Sequence, residues 1–147
     1  KLAPKFKMDL EKKNILEGNS FLKNNKNKSG VIEHKSGIQY KIIKNSTGLK
    51  PKSTDMVNVH YIGRLIDGTK FDSSYDRGTP SSFPLNRIIP GWSQGIQLMS
   101  VGSIFEIYVP GMLAYAQSEG PGGPGATLIF EVELLGIARS TENKSSN

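Results

Sequence analysis

Phe71 is followed at once by Asp72, with Asp76 and Arg77 close behind, and Tyr61 stands one strand's length upstream. An acid, an arginine and a tyrosine around an aromatic floor are the makings of a pocket, since ligand sites are mostly apolar concavities with a few placed polar groups. The other residue types restrict what such a pocket could do. The chain has no cysteine, which excludes disulfides, thiolate metal ligands and a cysteine nucleophile. Its two histidines are isolated: His34 lies beside a linker-like stretch and His60 at an outward-facing strand position. Neither has the spacing of a metal pair or a triad member, and both read as surface or packing residues. Asp67, Asp72 and Asp76 lack the spacing of a calcium loop. The run 120–125, GPGGPG, has neither the lysine nor the following helix of a phosphate-binding loop. No metal and no cofactor are expected.

What remains is a set of aromatic and branched apolar residues: Tyr61, Phe71, Phe83, Ile88, Ile89, Trp92, Tyr115 and Phe130. Core packing accounts for any one of them, and it is the better reading of Phe83. It does not account for the set. Trp92 follows Pro90-Gly91 at a helix start and Tyr115 lies in a loop between two strands, places that seldom hold core aromatics.

The elements that must position these residues are short. Val57, Val59 and Tyr61 alternate with Asn58 and His60, the period-two pattern of a half-buried strand, here Met56–Leu65. Asp67-Gly68 supplies the positive φ angles of a two-residue hairpin turn, and a return strand covers 69–73. Further strands are expected around Ile38, Tyr40 and Ile42, around Phe83, at Phe105, Ile107 and Val109, and over 127–137. Between them Trp92, Ile96 and Met99 fall at i, i+4 and i+7 of a short helix that opens at Ile89-Pro90-Gly91. Several strands and one short helix make an α+β class, an antiparallel sheet wrapped on a helix. Ahead of it Met8, Ile15 and Leu22 recur every seven residues, near Leu10 and Phe21. They predict an amphipathic helix over 5–23, weakened by Gly18 in its interior. Its stripe needs a partner: the domain itself, a second copy, or a domain outside this sequence.

At 147 residues the chain is one domain with some extra length. The predicted division is a basic helix and linker at 1–30, a globular domain at 31–138, and a polar flexible tail at 139–147. No stretch approaches the ~18 apolar residues of a membrane-spanning helix. No signal-peptide pattern opens the chain, which decides little about compartment. The net charge of +6 belongs to the N-terminal arm: 1–28 hold eight lysines against three acids, whereas the rest carries eleven basic and ten acidic residues. A lysine-rich arm with little aromatic interleaving reads as a solvated face, and nucleic acid is not an expected partner.

Several motifs in fixed order carry a resemblance. They are 59–78 (VHYIGRLIDGTKFDSSYDRG), Ile88-Ile89-Pro90-Gly91-Trp92, Gln97-Leu98-Met99-Ser100-Val101-Gly102, Leu113-Ala114-Tyr115, and 126–135 (ATLIFEVELL). Over about 31–137 the chain resembles the FKBP-type peptidyl-prolyl cis-trans isomerases. With its lysine-rich leading helix it is similar to the bacterial macrophage infectivity potentiator type, which often places a dimerising helical segment first. The resemblance implies a curled antiparallel sheet around a short helix. It implies a pocket floored by Trp92 and walled by Tyr61, Phe71, Ile88, Ile89 and Phe130. Tyr115 would donate its hydroxyl to the substrate carbonyl, the Ile89 N–H would hold the next carbonyl, and Asp72 would stand near the twisting amide in contact with Tyr61 and Arg77. Asp72, Tyr115 and Tyr61 are thereby the catalytic candidates.

The resemblance implies an isomerase that turns X-Pro bonds in unfolded or flexible protein segments and assists folding. It also implies binding of macrolides such as FK506 and rapamycin, a homodimer through the N-terminal helix, and a location in the bacterial periplasm or at the cell surface, with the cytoplasm as the alternative. A binding or chaperone module using the same pocket, and a helix anchored at a membrane surface or on nucleic acid, are the competing readings. Three positions depart from the family pattern. Ser81 replaces a frequent pocket aromatic, Ala116 follows Tyr115 where glycine is usual, and loop 117–125 lacks large apolar residues.

Overall fold

The computed structural model describes residues 3–138; the tail assigned to 139–147 lies outside the described residues. The chain runs α1 (Pro4–Asn25), β1 (Val31–Glu33), β2 (Gln39–Lys44), β3 (Met56–Leu65), β4 (Lys70–Ser73), α2 (Ser74–Arg77), β5 (Ser81–Pro84), α3 (Pro90–Ile96), β6 (Ile104–Val109) and β7 (Leu128–Ala138). The strands form one antiparallel sheet in the order β1-β2-β6-β7-β3-β4. β3 is its spine. It pairs with β7 along one edge, and its other edge is shared by β5 over residues 56–59 and β4 over residues 62–64.

Alternation along the strands divides the sheet into two faces. Val57, Val59, Phe105, Ile107, Leu128, Phe130, Val132 and Leu134 point to the side covered by α3, where Trp92, Ile96 and Met99 are buried among them. Pro90 starts α3 as its missing N–H allows. Gly95 lets that helix press onto Ile107, since a Cβ there would meet the Ile107 side chain at 2.7 Å.

The β3–β4 turn differs from the expected two-residue form. The Leu65 N–H donates to the Thr69 carbonyl at 2.8 Å and the Gly68 N–H to the Leu65 carbonyl at 2.9 Å. Gly68 has φ 93° while Asp67 stays at negative φ. This is a three-residue loop, Ile66-Asp67-Gly68, with a glycine bulge. Asp67 contributes with its side chain, which accepts the Thr69 N–H at 2.8 Å, so only one left-handed residue is needed.

Most of the stripe on α1, from Leu10 to Leu22, packs on the domain itself. α1 lies on the sheet face opposite α3: its Phe21 ring is 6.1 Å from Tyr108, the neighbour of Ile107 that points the other way. Gly18 and Asn25 are the buried residues of the helix, and the Met8 that the heptad spacing places on the stripe is exposed. Gly18 is therefore not a defect. A Cβ there would run into Thr127 Oγ1, and its absence lets the helix reach the end of β7. At the helix C-terminus the buried amides of Asn25 and Gln39 join at 2.8 Å, and Gln39 also donates to the Leu22 carbonyl at 2.9 Å.

Candidate functional site

β3 contributes Tyr61 to the α3 side of the sheet, and β7 contributes Phe130 beside it. Opposite Phe130 in the register stands Gly63. Its lack of a side chain matters: a Cβ would come within 2.6 Å of the Phe71 ring. That gap lets Phe71 fold from β4 over the strand and meet Phe130 edge to face at 5.8 Å. Trp92, delivered by the first turn of α3, stacks on Phe130 at 4.6 Å and takes the edges of Tyr61 at 4.9 Å and Phe83 at 5.0 Å. With Ile88 and Ile89 just ahead of α3, these rings enclose a cavity of about 390 Å³.

Asp72, Tyr61 and Arg77 form the polar wall. α2 is one helical turn: the Ser73 hydroxyl caps it by accepting the Asp76 N–H at 3.2 Å, and Gly78 ends it in the left-handed region at φ 79°. The turn brings Arg77 back onto Asp72, which accepts from Arg77 Nη1, from the Tyr61 hydroxyl and, at 2.9 Å, from the Ser73 N–H. Arg77 Nη2 also donates to the Tyr61 hydroxyl at 3.1 Å and to Ser81 Oγ at 2.9 Å. Ser81 thus holds Arg77 in place. Burial pushes the Asp72 carboxyl up, but hydrogen bonds from Tyr61 and Arg77, with the Arg77 charge, outweigh it and hold the carboxyl below its ordinary value. Burial, and then the bond to Asp72, raise the Tyr61 hydroxyl. A committed carboxylate and a retained phenol proton make a fixed dipolar wall rather than an acid–base pair.

Three donors remain unspent. Among the described residues, neither the Tyr115 hydroxyl nor the Ile89 N–H has an acceptor, and the buried Trp92 Nε1–H has none either. Tyr115 and Ile89 both line the cavity, and Tyr115 is part exposed at 42%. They can receive carbonyl oxygens of a bound chain. Ala116, which stands where the resemblance leads one to expect glycine, has a left-handed backbone, φ 51°, which an alanine adopts only with local strain.

Of the nine residues expected from the sequence, eight line this cavity: Tyr61, Phe71, Asp72, Ile88, Ile89, Trp92, Tyr115 and Phe130. Arg77 stands behind Asp72. Phe83 and Arg87 also line it; the sequence reads Phe83 as core and carries no signal for Arg87. Phe83 does both jobs, pairing with Val57 through β5 and packing on the core while meeting Trp92 edge to face. Arg87 has no pattern signal, because it belongs to a single 3-10 turn. His60 lies outside the site: its ring stacks on Tyr75 at 4.4 Å and its Nδ1 shares a hydrogen bond with Ser74 at 2.7 Å. Among the described residues no group of three or more acids and histidines could hold a metal.

Comparison with known proteins points to one family. A family profile described as FKBP-type peptidyl-prolyl cis-trans isomerase matches residues 48–135, and one described as the domain amino terminal to FKBP-type peptidyl-prolyl isomerase matches residues 3–42. The FKBP-type peptidyl-prolyl cis-trans isomerase FkpA of Aeromonas hydrophila is 52% identical over 127 residues, 86% of this chain and 47% of that protein. The outer membrane protein MIP of Legionella longbeachae is 46% identical over 129 residues, 86% of this chain and 55% of that protein. The crystal structure of FkpA from Escherichia coli superposes with a TM-score of 0.88 at 35% identity, covering 92% of this chain and 64% of that one. The chain thus spans about half the length of these curated relatives.

Proposed function

The chain belongs to the family of FKBP-type peptidyl-prolyl cis-trans isomerases, and we propose that it accelerates rotation about X-Pro bonds in unfolded or flexible protein segments. The observation that carries this is the pair of unspent donors, Tyr115 hydroxyl and Ile89 N–H, on the lining of an aromatic cavity floored by Trp92.

Resonance makes the amide planar and opposes rotation with ~18–20 kcal/mol, so X-Pro bonds turn over unaided in tens to hundreds of seconds. The planar amide is more dipolar than the twisted one. A proline ring seated on Trp92 among Tyr61, Phe71, Ile88 and Phe130 would take its amide out of water, which disfavours the planar form relative to the twisted form. Tyr115 and Ile89 would donate to carbonyls in the geometry of the twisted state. Asp72, held by Tyr61 and Arg77, would present a fixed negative edge to the rotating amide. Such differential binding needs no bond-making group. In this reading Asp72, Tyr115 and Tyr61 are catalytic, Phe71, Arg77, Ile88, Ile89, Trp92 and Phe130 shape the pocket, 31–138 is the isomerase domain, and 1–30 is a helix and linker docked on it.

The test is proline-limited refolding of a substrate protein together with a chromogenic proline peptide. Acceleration of both that is lowered, though not abolished, by Tyr115→Phe supports the reading. Tight binding of a proline peptide with no acceleration of either rejects it in favour of a binding module. Macrolides of the FK506 and rapamycin type would occupy the same cavity, with affinity reduced because loop 117–125 adds no residue to its lining. A homodimer would use Phe6, Met8 and Leu16, the apolar residues of α1 left exposed, and sedimentation would reveal it. That the Legionella longbeachae relative is an outer membrane protein supports a periplasmic or surface location. No helix among the described residues is long and apolar enough to cross a membrane.

A further inference from the structure

α1 reaches the loop that follows Tyr115, and one of its side chains hydrogen-bonds to it. The Nδ2 amide of Asn14 donates to the Gly122 carbonyl at 2.9 Å and to the Pro124 carbonyl at 2.8 Å. Both carbonyls belong to loop 117–125, QSEGPGGPG, whose composition offers few side chains to hold its backbone by packing. The loop is bound closely to Tyr115. The Ser118 N–H donates to the Tyr115 carbonyl at 2.8 Å, and the Gly125 N–H to the Ala116 carbonyl at 2.7 Å. Gly120 lies against the Tyr115 ring, where a Cβ would stand 2.5 Å from Cγ. α1 also presses on the loop directly, because a Cβ on Gly125 would meet the Glu11 carbonyl and Ile15 at 3.0 Å. The helix is fixed elsewhere by its contact with Thr127 and by the Asn25–Gln39 amide pair.

We propose that Asn14 is a positioning residue for the prolyl site: by bracing the Gly122 and Pro124 carbonyls it holds loop 117–125 against the Tyr115 ring and fixes where the Tyr115 hydroxyl points. This rests on the reading of Tyr115 as donor to the substrate carbonyl. A glycine-rich segment has the most backbone freedom to lose, and a donor displaced by about 1 Å can cost ~100-fold in rate. An external brace is therefore worth having at this place. It also makes α1 a control element, since any event that lifts the helix from the sheet slackens the loop beside the catalytic hydroxyl.

The experiment uses the full chain with Asn14→Ala and with Asn14→Asp, which keeps the volume and offers no donor. Amide hydrogen exchange at Gly125 and Ser118 is read by NMR. Turnover of a chromogenic proline peptide is read in wild-type and Tyr115→Phe backgrounds. The expected result is faster exchange at Gly125 and Ser118 with the β3–β7 amides unchanged. In the wild-type background kcat falls about tenfold with KM nearly constant, and that loss largely disappears in the Tyr115→Phe background, as coupled residues require. Unchanged exchange at Gly125, or an equal loss in both backgrounds, overturns the proposal. If one variant does not fold, exchange at Gly125 in the other decides. A wild-type protein that turns over no proline peptide rejects the isomerase reading instead, and the brace is then judged by exchange alone.

Discussion

Arg77 closes on Asp72, five residues before it, because Ser73 caps and Gly78 ends the single helical turn between them. The same guanidinium reaches Tyr61, so three side chains from β3, β4 and α2 hold one another in place on the cavity wall. The carboxylate is held ionised, with three of its acceptor positions committed to Tyr61, Ser73 and Arg77.

Removing it should affect turnover more than folding. The Asp72 and Arg77 side chains are 37% and 45% exposed, and an ion pair in that setting contributes under about 1 kcal/mol of stability. Asp72→Ala is expected to leave the melting temperature within about 3 °C. It should lower kcat/KM on a proline peptide by about tenfold, the size of one well-placed electrostatic contact. Asp72→Asn keeps the acceptor oxygen without the charge and should lose less. Full activity in Asp72→Ala would remove the polar wall from the mechanism.

The pH profile follows from the same cluster. Asp72, with its pKa lowered below 3.8, stabilises the folded site fully above that pH and loses the contribution as pH falls through its folded value. Tyr61, raised above 10.0, contributes fully below that pH and loses the contribution as pH rises through its folded value. Neither group changes charge in between, so kcat/KM should be level across about pH 5–9. An inflection inside that range that is absent from Asp72→Asn would make Asp72 a proton carrier.

Much of this site could be read in the chain because its residues sit in strongly periodic or punctuated segments. Val57, Val59 and Tyr61 mark the inner face of β3 by alternation, and Pro90-Gly91-Trp92 marks the start of α3. What stayed hidden depends on contacts distant in sequence. Asn14 meets Gly122 across 108 positions, and no local pattern announces an amide reaching two loop carbonyls. Phe83 reads as core because a four-residue strand does not reveal that its inner face borders a cavity. The heptad spacing puts Met8 on the buried stripe, but the domain covers that stripe only from Leu10 to Leu22.

Ala116 offers a test of strain beside the active hydroxyl. Its φ of 51° costs an alanine roughly 1–2 kcal/mol that a glycine does not incur. Glycine loses about 0.5–1 kcal/mol to its greater freedom when unfolded. The balance favours Ala116→Gly by up to about 1.5 kcal/mol, seen as a melting temperature a few degrees higher. Activity should be preserved, because Tyr115 keeps the same backbone path. A lower melting temperature would show that the alanine methyl packs in a way that outweighs the strain.

Gly18 sets two effects of opposite sign against each other. In a solvent-exposed helix interior, Gly→Ala stabilises by about 0.5–1 kcal/mol, because glycine leaves the backbone freer when unfolded. At this position the new methyl would meet Thr127 Oγ1 and come within 3.2 Å of Thr127 Cβ. Thr127 is buried and β-branched, so its side chain has few rotamers into which it can retreat. Overpacking of this kind costs about 1–3 kcal/mol, and it outweighs the propensity gain. Gly18→Ala should therefore lower the melting temperature by about 3 °C and speed amide exchange in loop 117–125 as α1 lifts. In a Thr127→Ala background the obstruction is gone and the same substitution should become stabilising. A higher melting temperature for Gly18→Ala in the otherwise unchanged chain would mean that α1 does not pack this closely on β7 in solution.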